Sequence, residues 1–180
     1  VPADDKRWTD LETWLRRAFG DLMRKGGTEK MVEHSIRIGR ALRQGGEDDI
    51  TVFGGYCHDV FEDVPDYKQA TPAKRHAMLL PVALDCLGDA ASAGSATKLV
   101  EACSYSDAEY LLAKDARKVV ACARWLGHED IRVLLVKKAD VEDNRADCHA
   151  VSADFAAKYE AWAVPLHAGL CERIAALQTK

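Results

Sequence analysis

The sequence predicts an all-α fold, a single-domain helical bundle. Apolar residues recur at helical spacing along nearly the whole chain, Gly and Pro punctuate it at helix-sized intervals, and no segment shows the period-two alternation of a half-buried strand. At 180 residues the chain fits one domain over residues 1–180 and can bury a core around a cleft.

The elements follow in order. Leu11, Trp14, Leu15, Ala18, Phe19 and Leu22 share a face, with Thr9 and Glu12 spaced as a capping box; Gly26-Gly27 is the expected stop. A second helix is expected over about 28–44, carrying Met31, Ile36, Ile38 and Leu42 and ending at Gly45-Gly46. A third starts near Asp48, carries Ile50, Val52, Phe53, Tyr56, Val60 and Phe61, and stops at Val64-Pro65-Asp66. Thr71-Pro72 opens a fourth with proline at its first position. The Gly/Ala/Ser stretch 88–96 reads as a connection inside the bundle. Further helices are expected at about 97–103, 108–126, 130–145 and 152–178, with Pro165 kinking or dividing the last.

Composition limits the function classes. A formal net charge of −4 argues against a general nucleic-acid binder. No apolar run approaches the ~20 residues of a membrane span, so no membrane partner is expected. Six cysteines without a Cys-x-x-Cys pair read as reduced thiols, which suits a cytoplasmic protein. Homo-oligomerisation is left open.

The chemistry concentrates in Gly54-Gly55-Tyr56-Cys57-His58-Asp59-Val60-Phe61-Glu62-Asp63. At helical spacing His58 and Glu62 share one face and Asp59 and Asp63 the adjacent one, at the end of a mostly apolar segment. Burying such groups is costly unless something pairs with them. A divalent metal would, and imidazole with carboxylate suits Mn²⁺, Fe²⁺, Zn²⁺ or Co²⁺. Two further candidates extend the set: His34 in the preceding helix, and Asp140 late in the apolar run Val133-Leu134-Leu135-Val136, followed one turn on by Asn144.

A histidine, a distant His-Asp pair and a distant aspartate, in that order, resemble the signature of the HD (His-Asp) superfamily of metal-dependent phosphohydrolases. Within it the sequence resembles the hydrolase domain of RelA/SpoT-type proteins and stand-alone small alarmone hydrolases. Arg24-Lys25 before a Gly-containing loop, His58-Asp59-Val60-Phe61-Glu62-Asp63, and Val136-Lys137-Lys138-Ala139-Asp140 with Asn144-Arg145 carry the likeness, which spans about residues 24–145 and leaves helices 152–178 unmatched. The chain departs from the family pattern at Glu29-Lys30-Met31, Ser35, Val64-Pro65 and the segment Cys103-Ser104-Tyr105-Ser106-Asp107.

The resemblance implies an enzyme of HD-domain type. Its metal, Mn²⁺, would be held by His34, His58, Asp59 and Asp140. Glu62 and Asp63 would orient or activate the attacking water, and Arg24, Lys25 and Asn144 would contact a phosphorylated nucleotide. The implied reaction is removal of the 3′-pyrophosphate from guanosine tetra- or pentaphosphate. An HD phosphohydrolase with another nucleotide or phosphoester substrate, and a non-catalytic nucleotide sensor, are the alternatives. Ordinary readings stand beside some roles: Asn144 as a helix cap, Arg24-Lys25 as complements to a helix dipole. Lys114, Arg117 and Lys118 could neutralise phosphate charge, or be solvated charges on a helix face.

Overall fold

A computed structural model describes residues 3–24 and 29–179, and its regular structure is helical. Among the described residues the only β-type pairing is one isolated bridge, Met23 with Lys30. By its internal contacts the chain divides into two compact units, Val1–Ser104 and Tyr105–Lys180.

The first unit contains α1 (Ala3–Phe19), α2 (Met31–Gln44), α3 (Asp49–Cys57), α4 (Val60–Asp63), α5 (Pro65–Lys68), α6 (Pro72–Leu87) and α7 (Ala90–Cys103). Its centre is α3, where Thr51 to Cys57 are all buried and α2 and α7 pack alongside. Asp48 caps this helix by accepting from Thr51 N at 2.8 Å. The approach of α2 is close because two glycines meet there. A Cβ on Gly39 would lie 2.3 Å from the Tyr56 ring, and one on Gly55 2.4 Å from Leu42 Cδ1. Tyr56 is held from its other side: its ring stacks on Trp8 at 5.6 Å, and its hydroxyl donates to Glu12 at 2.9 Å.

The second unit contains α8 (Asp107–Tyr110), α9 (Lys114–Leu126), α10 (Ile131–Cys148) and α11 (Ala153–Gln178). Leu134 and Val141 of α10 and Ala163, Leu166, Leu170 and Ile174 of α11 form its core. Asp130 and Ser152 cap α10 and α11.

Several sequence expectations are corrected. The first helix begins six residues before Thr9, whose carbonyl instead accepts from Thr13 within the helix. It stops at Phe19, where Gly20 takes φ +57°, before the Gly26-Gly27 pair, which lies outside the described residues together with Thr28. The Gly/Ala/Ser stretch 88–96 is mostly helix. Gly88, at φ +82°, closes α6, and the Asp89 carboxylate accepts from Ala91 N and Ser92 N to open α7. Small residues there are packing residues, since Ala93 and Ala96 are fully buried.

The helix expected over 108–126 is broken between α8 and α9. Arg117 compensates the break by donating to the carbonyls of Glu109, Tyr110 and Leu112. Pro165 does not divide α11, which runs unbroken from Ala153 to Gln178. Burial of Ala163, Leu166 and Leu170 against α10 offsets the backbone hydrogen bond that proline removes.

Candidate metal centre

Helix α2 supplies His34, and the junction of α3 and α4 supplies His58 and Asp59. Both histidines are buried. The expected single helix through Asp63 is interrupted at this junction: α3 ends at Cys57, and Asp59 adopts φ −95°, ψ −3° before α4 begins. This turn lets consecutive side chains face one point. Asp59 Oδ2 lies 3.1 Å from His58 Nε2 and 3.7 Å from His34 Nε2. The two imidazole rings stand edge to face, 5.3 Å apart. One donor atom from each of the three residues falls within 4.8 Å of the other two.

Supporting contacts orient the set. His58 Nδ1 lies 2.9 Å from the carbonyl of Gly55. That carbonyl can only accept, so Nδ1 carries a proton and Nε2, which faces Asp59, is the nitrogen left to ligate a metal. Ser104 Oγ donates to the His58 carbonyl at 3.3 Å and to Val100 O at 2.9 Å, tying the junction to the end of α7. Neither support stands out in the sequence; Gly55 is visible only as half of a glycine pair inside an apolar helix.

Burial and the negative charge of Asp59 push Asp63 up to about 6, against the opposing influence of Lys68, His58 and His34. Two imidazole nitrogens and a carboxylate oxygen fit a divalent first-row ion by donor chemistry and by burial.

The other expected site residues have their own surroundings. Glu62 and Asp63 follow Asp59 within α4 and are half-buried. Arg24 lies in the segment before α2, where its N–H donates to Glu29 O at 2.9 Å. Lys25 lies outside the described residues. Asp140 and Asn144 belong to α10 in the second unit. There Lys137 Nζ donates to Asp140 Oδ2 at 2.5 Å, and Asn144 Nδ2 donates to Asp140 Oδ1 at 2.5 Å and to its backbone oxygen at 2.9 Å. Lys137 is only 6% exposed and rests on the Trp125 ring at 4.3 Å. The carboxylate of Asp140 is therefore held by a buried cation and an amide, each one helical turn away on α10.

Of the basic residues on α9, Arg117 serves the α8–α9 turn, and Lys118 lies 4.6 Å from the Trp162 ring. Three other histidines have structural partners: His76 lies beside Glu101 and His167 beside Glu142, each at 2.8 Å, and His128 accepts from Asp130 N. All six cysteines are free thiols. No helix among the described residues is long and apolar enough to cross a membrane.

No protein-family profile matches the sequence, and no curated protein matches it. In structure the chain is similar to a metazoan ortholog of SpoT described as hydrolysing ppGpp and playing a role in starvation responses. The superposition has a TM-score of 0.66 at 19% identity, and covers 94% of each chain. The fold is of the HD type. Sharing it over almost the full length of both chains extends the structural likeness to helices 152–178, which the sequence motifs leave unmatched.

Proposed function

We propose that the chain is a metal-dependent phosphohydrolase that removes the 3′-pyrophosphate from guanosine tetra- or pentaphosphate. The convergence of His34, His58 and Asp59, with Asp63 beside them, carries this reading. The described activity of the structurally similar SpoT ortholog supports the substrate class. In this reading Asp140 is the fourth ligand, Mn²⁺ the ion, and the whole chain one HD-type domain working in the cytoplasm.

Held by His34, His58, Asp59 and Asp140, a divalent cation would supply positive charge to the phosphoryl group and acidify the attacking water. The chain's own groups do the remainder. Glu62 and Asp63 orient that water and accept its proton. His58 keeps its Nε2 available because Gly55 holds the Nδ1 proton. Arg24 and Lys25 contact the base, and Asn144 contacts the sugar or a nearby phosphate.

Product analysis with purified protein, ppGpp and Mn²⁺ tests the assignment. Intact pyrophosphate is the expected product, and Asp59→Ala is expected to lose at least about a hundredfold in rate. Release of inorganic phosphate from a monophosphate, with ppGpp untouched, would reassign the substrate. Binding of ppGpp without turnover at any Mn²⁺ concentration would replace the enzyme with a sensor.

A further inference from the structure

We propose a second metal site, of a softer kind, formed in the second unit by Cys148, His149 and Glu160. Cys148 is the last residue of α10, His149 follows it as the helix cap, and Glu160 lies two turns into α11. The short connection after His149 brings these together: a sulfur, an imidazole nitrogen and a carboxylate oxygen lie within 4.8 Å of one another. Nothing in the phosphohydrolase reading uses them, and the proposal does not depend on that reading.

The donor set selects the ion. Thiolate sulfur beside imidazole and carboxylate suits Zn²⁺, and disfavours Mg²⁺ and Ca²⁺, which take oxygen donors. Bonds of roughly 2.0–2.3 Å need donor atoms about 3.3–3.8 Å apart around a tetrahedral ion. The exposed ring of His149 is placed to close the remaining gap, while the other two donors are held. Cys148 is buried, and its thiol donates only to the Arg145 carbonyl one turn back, at 3.2 Å. Glu160 is steadied by Arg145 Nε at 3.2 and 3.0 Å, and each carboxylate oxygen keeps a lone pair for a second partner. Binding displaces the thiol proton to solvent, and the thiolate and carboxylate then balance the dication. A water fills the fourth position. The bound ion ties the end of α10 to the body of α11.

Co²⁺ titrated into the chelator-treated full-length chain reads the site directly. Added beyond the one equivalent that the His34, His58 and Asp59 centre can take, Co²⁺ is expected to bring up a thiolate-to-cobalt charge-transfer band that Zn²⁺ abolishes by displacement. His34, His58 and Asp59 offer no sulfur, so metal at that centre gives no such band. The band is expected to vanish in Cys148→Ser. Glu160→Gln and His149→Ala are expected to weaken Co²⁺ binding about tenfold or more; the exposed position of His149 keeps the latter informative if the buried serine variant folds poorly. Absence of the band at saturating Co²⁺, its persistence in Cys148→Ser, or unchanged affinity in His149→Ala would overturn the proposal.

Discussion

At the scale of single residues, the molecule spends buried charge in pairs. Glu109 shows the principle outside the candidate centre. Burial acts to raise its pKa, yet the Arg124 guanidinium at 2.9 and 3.0 Å and the Ser106 backbone N–H at 2.7 Å outweigh it and hold the carboxyl below the usual range. Its folded-state pKa is therefore below its unfolded one. The resulting stabilisation is present above the unfolded value, ordinarily about 4.3, and is lost as pH falls through the folded value. Glu109→Gln is expected to lose about 1.5–3 kcal/mol at pH 7, as for hydrogen bonds to a charged group. Urea unfolding at neutral pH and again in the acidic range below about 4 checks this: the gap between variant and parent should narrow in acid. The chemistry-bearing residues were legible at this scale because His58-Asp59 and Glu62-Asp63 interrupt an apolar run. The groups that hold them were not, because a backbone carbonyl such as that of Gly55 has no sequence signature.

At the scale of elements, the crossing of α2 and α3 sets where His34 and His58 stand. Gly39→Ala puts a methyl group against the Tyr56 ring, which Trp8 and Glu12 prevent from moving aside. The gain in helix propensity is about 1 kcal/mol, whereas overpacking costs about 1–3 kcal/mol, and the pinned ring places this site at the upper end. A net loss of about 1–2 kcal/mol is expected, together with weaker Mn²⁺ binding as the two histidines part. Denaturant unfolding and a Mn²⁺ titration on the same variant measure both; unchanged stability would mean that the crossing is more compliant than its spacing implies. On α11 the expectation has the opposite sign. Pro165 is exposed and lies inside a continuous helix, so Pro165→Ala restores a backbone donor and should raise stability by up to about 3 kcal/mol, visible as a higher Tm. The boundaries that sequence reading misplaced share a cause. Asp89 opens α7, and Arg117 rescues carbonyls at the α8–α9 break, through contacts that apolar periodicity does not register.

At the scale of the whole molecule, metal binding should be linked to folding. A ligand that binds only the folded chain stabilises it by about 2.7 kcal/mol at one hundred times its Kd. Thermal unfolding in graded Mn²⁺ should therefore show Tm rising with metal and returning to the metal-depleted value on chelation, and His58→Ala should flatten that response. A Tm indifferent to Mn²⁺ would remove the ion from the folded state. The helical class and the order His34, His58-Asp59, Asp140 could be read from the chain, because apolar spacing and residue type are local properties that any fold of this sequence must accommodate. Folding decided the break between α3 and α4, the approach of His34 to Asp59, the raised pKa of Asp63 and the seating of Lys137 on Trp125. Each of these depends on which atoms, remote in the chain or brought round by a turn, come within a few ångströms, and distance of that kind exists only once the chain has packed.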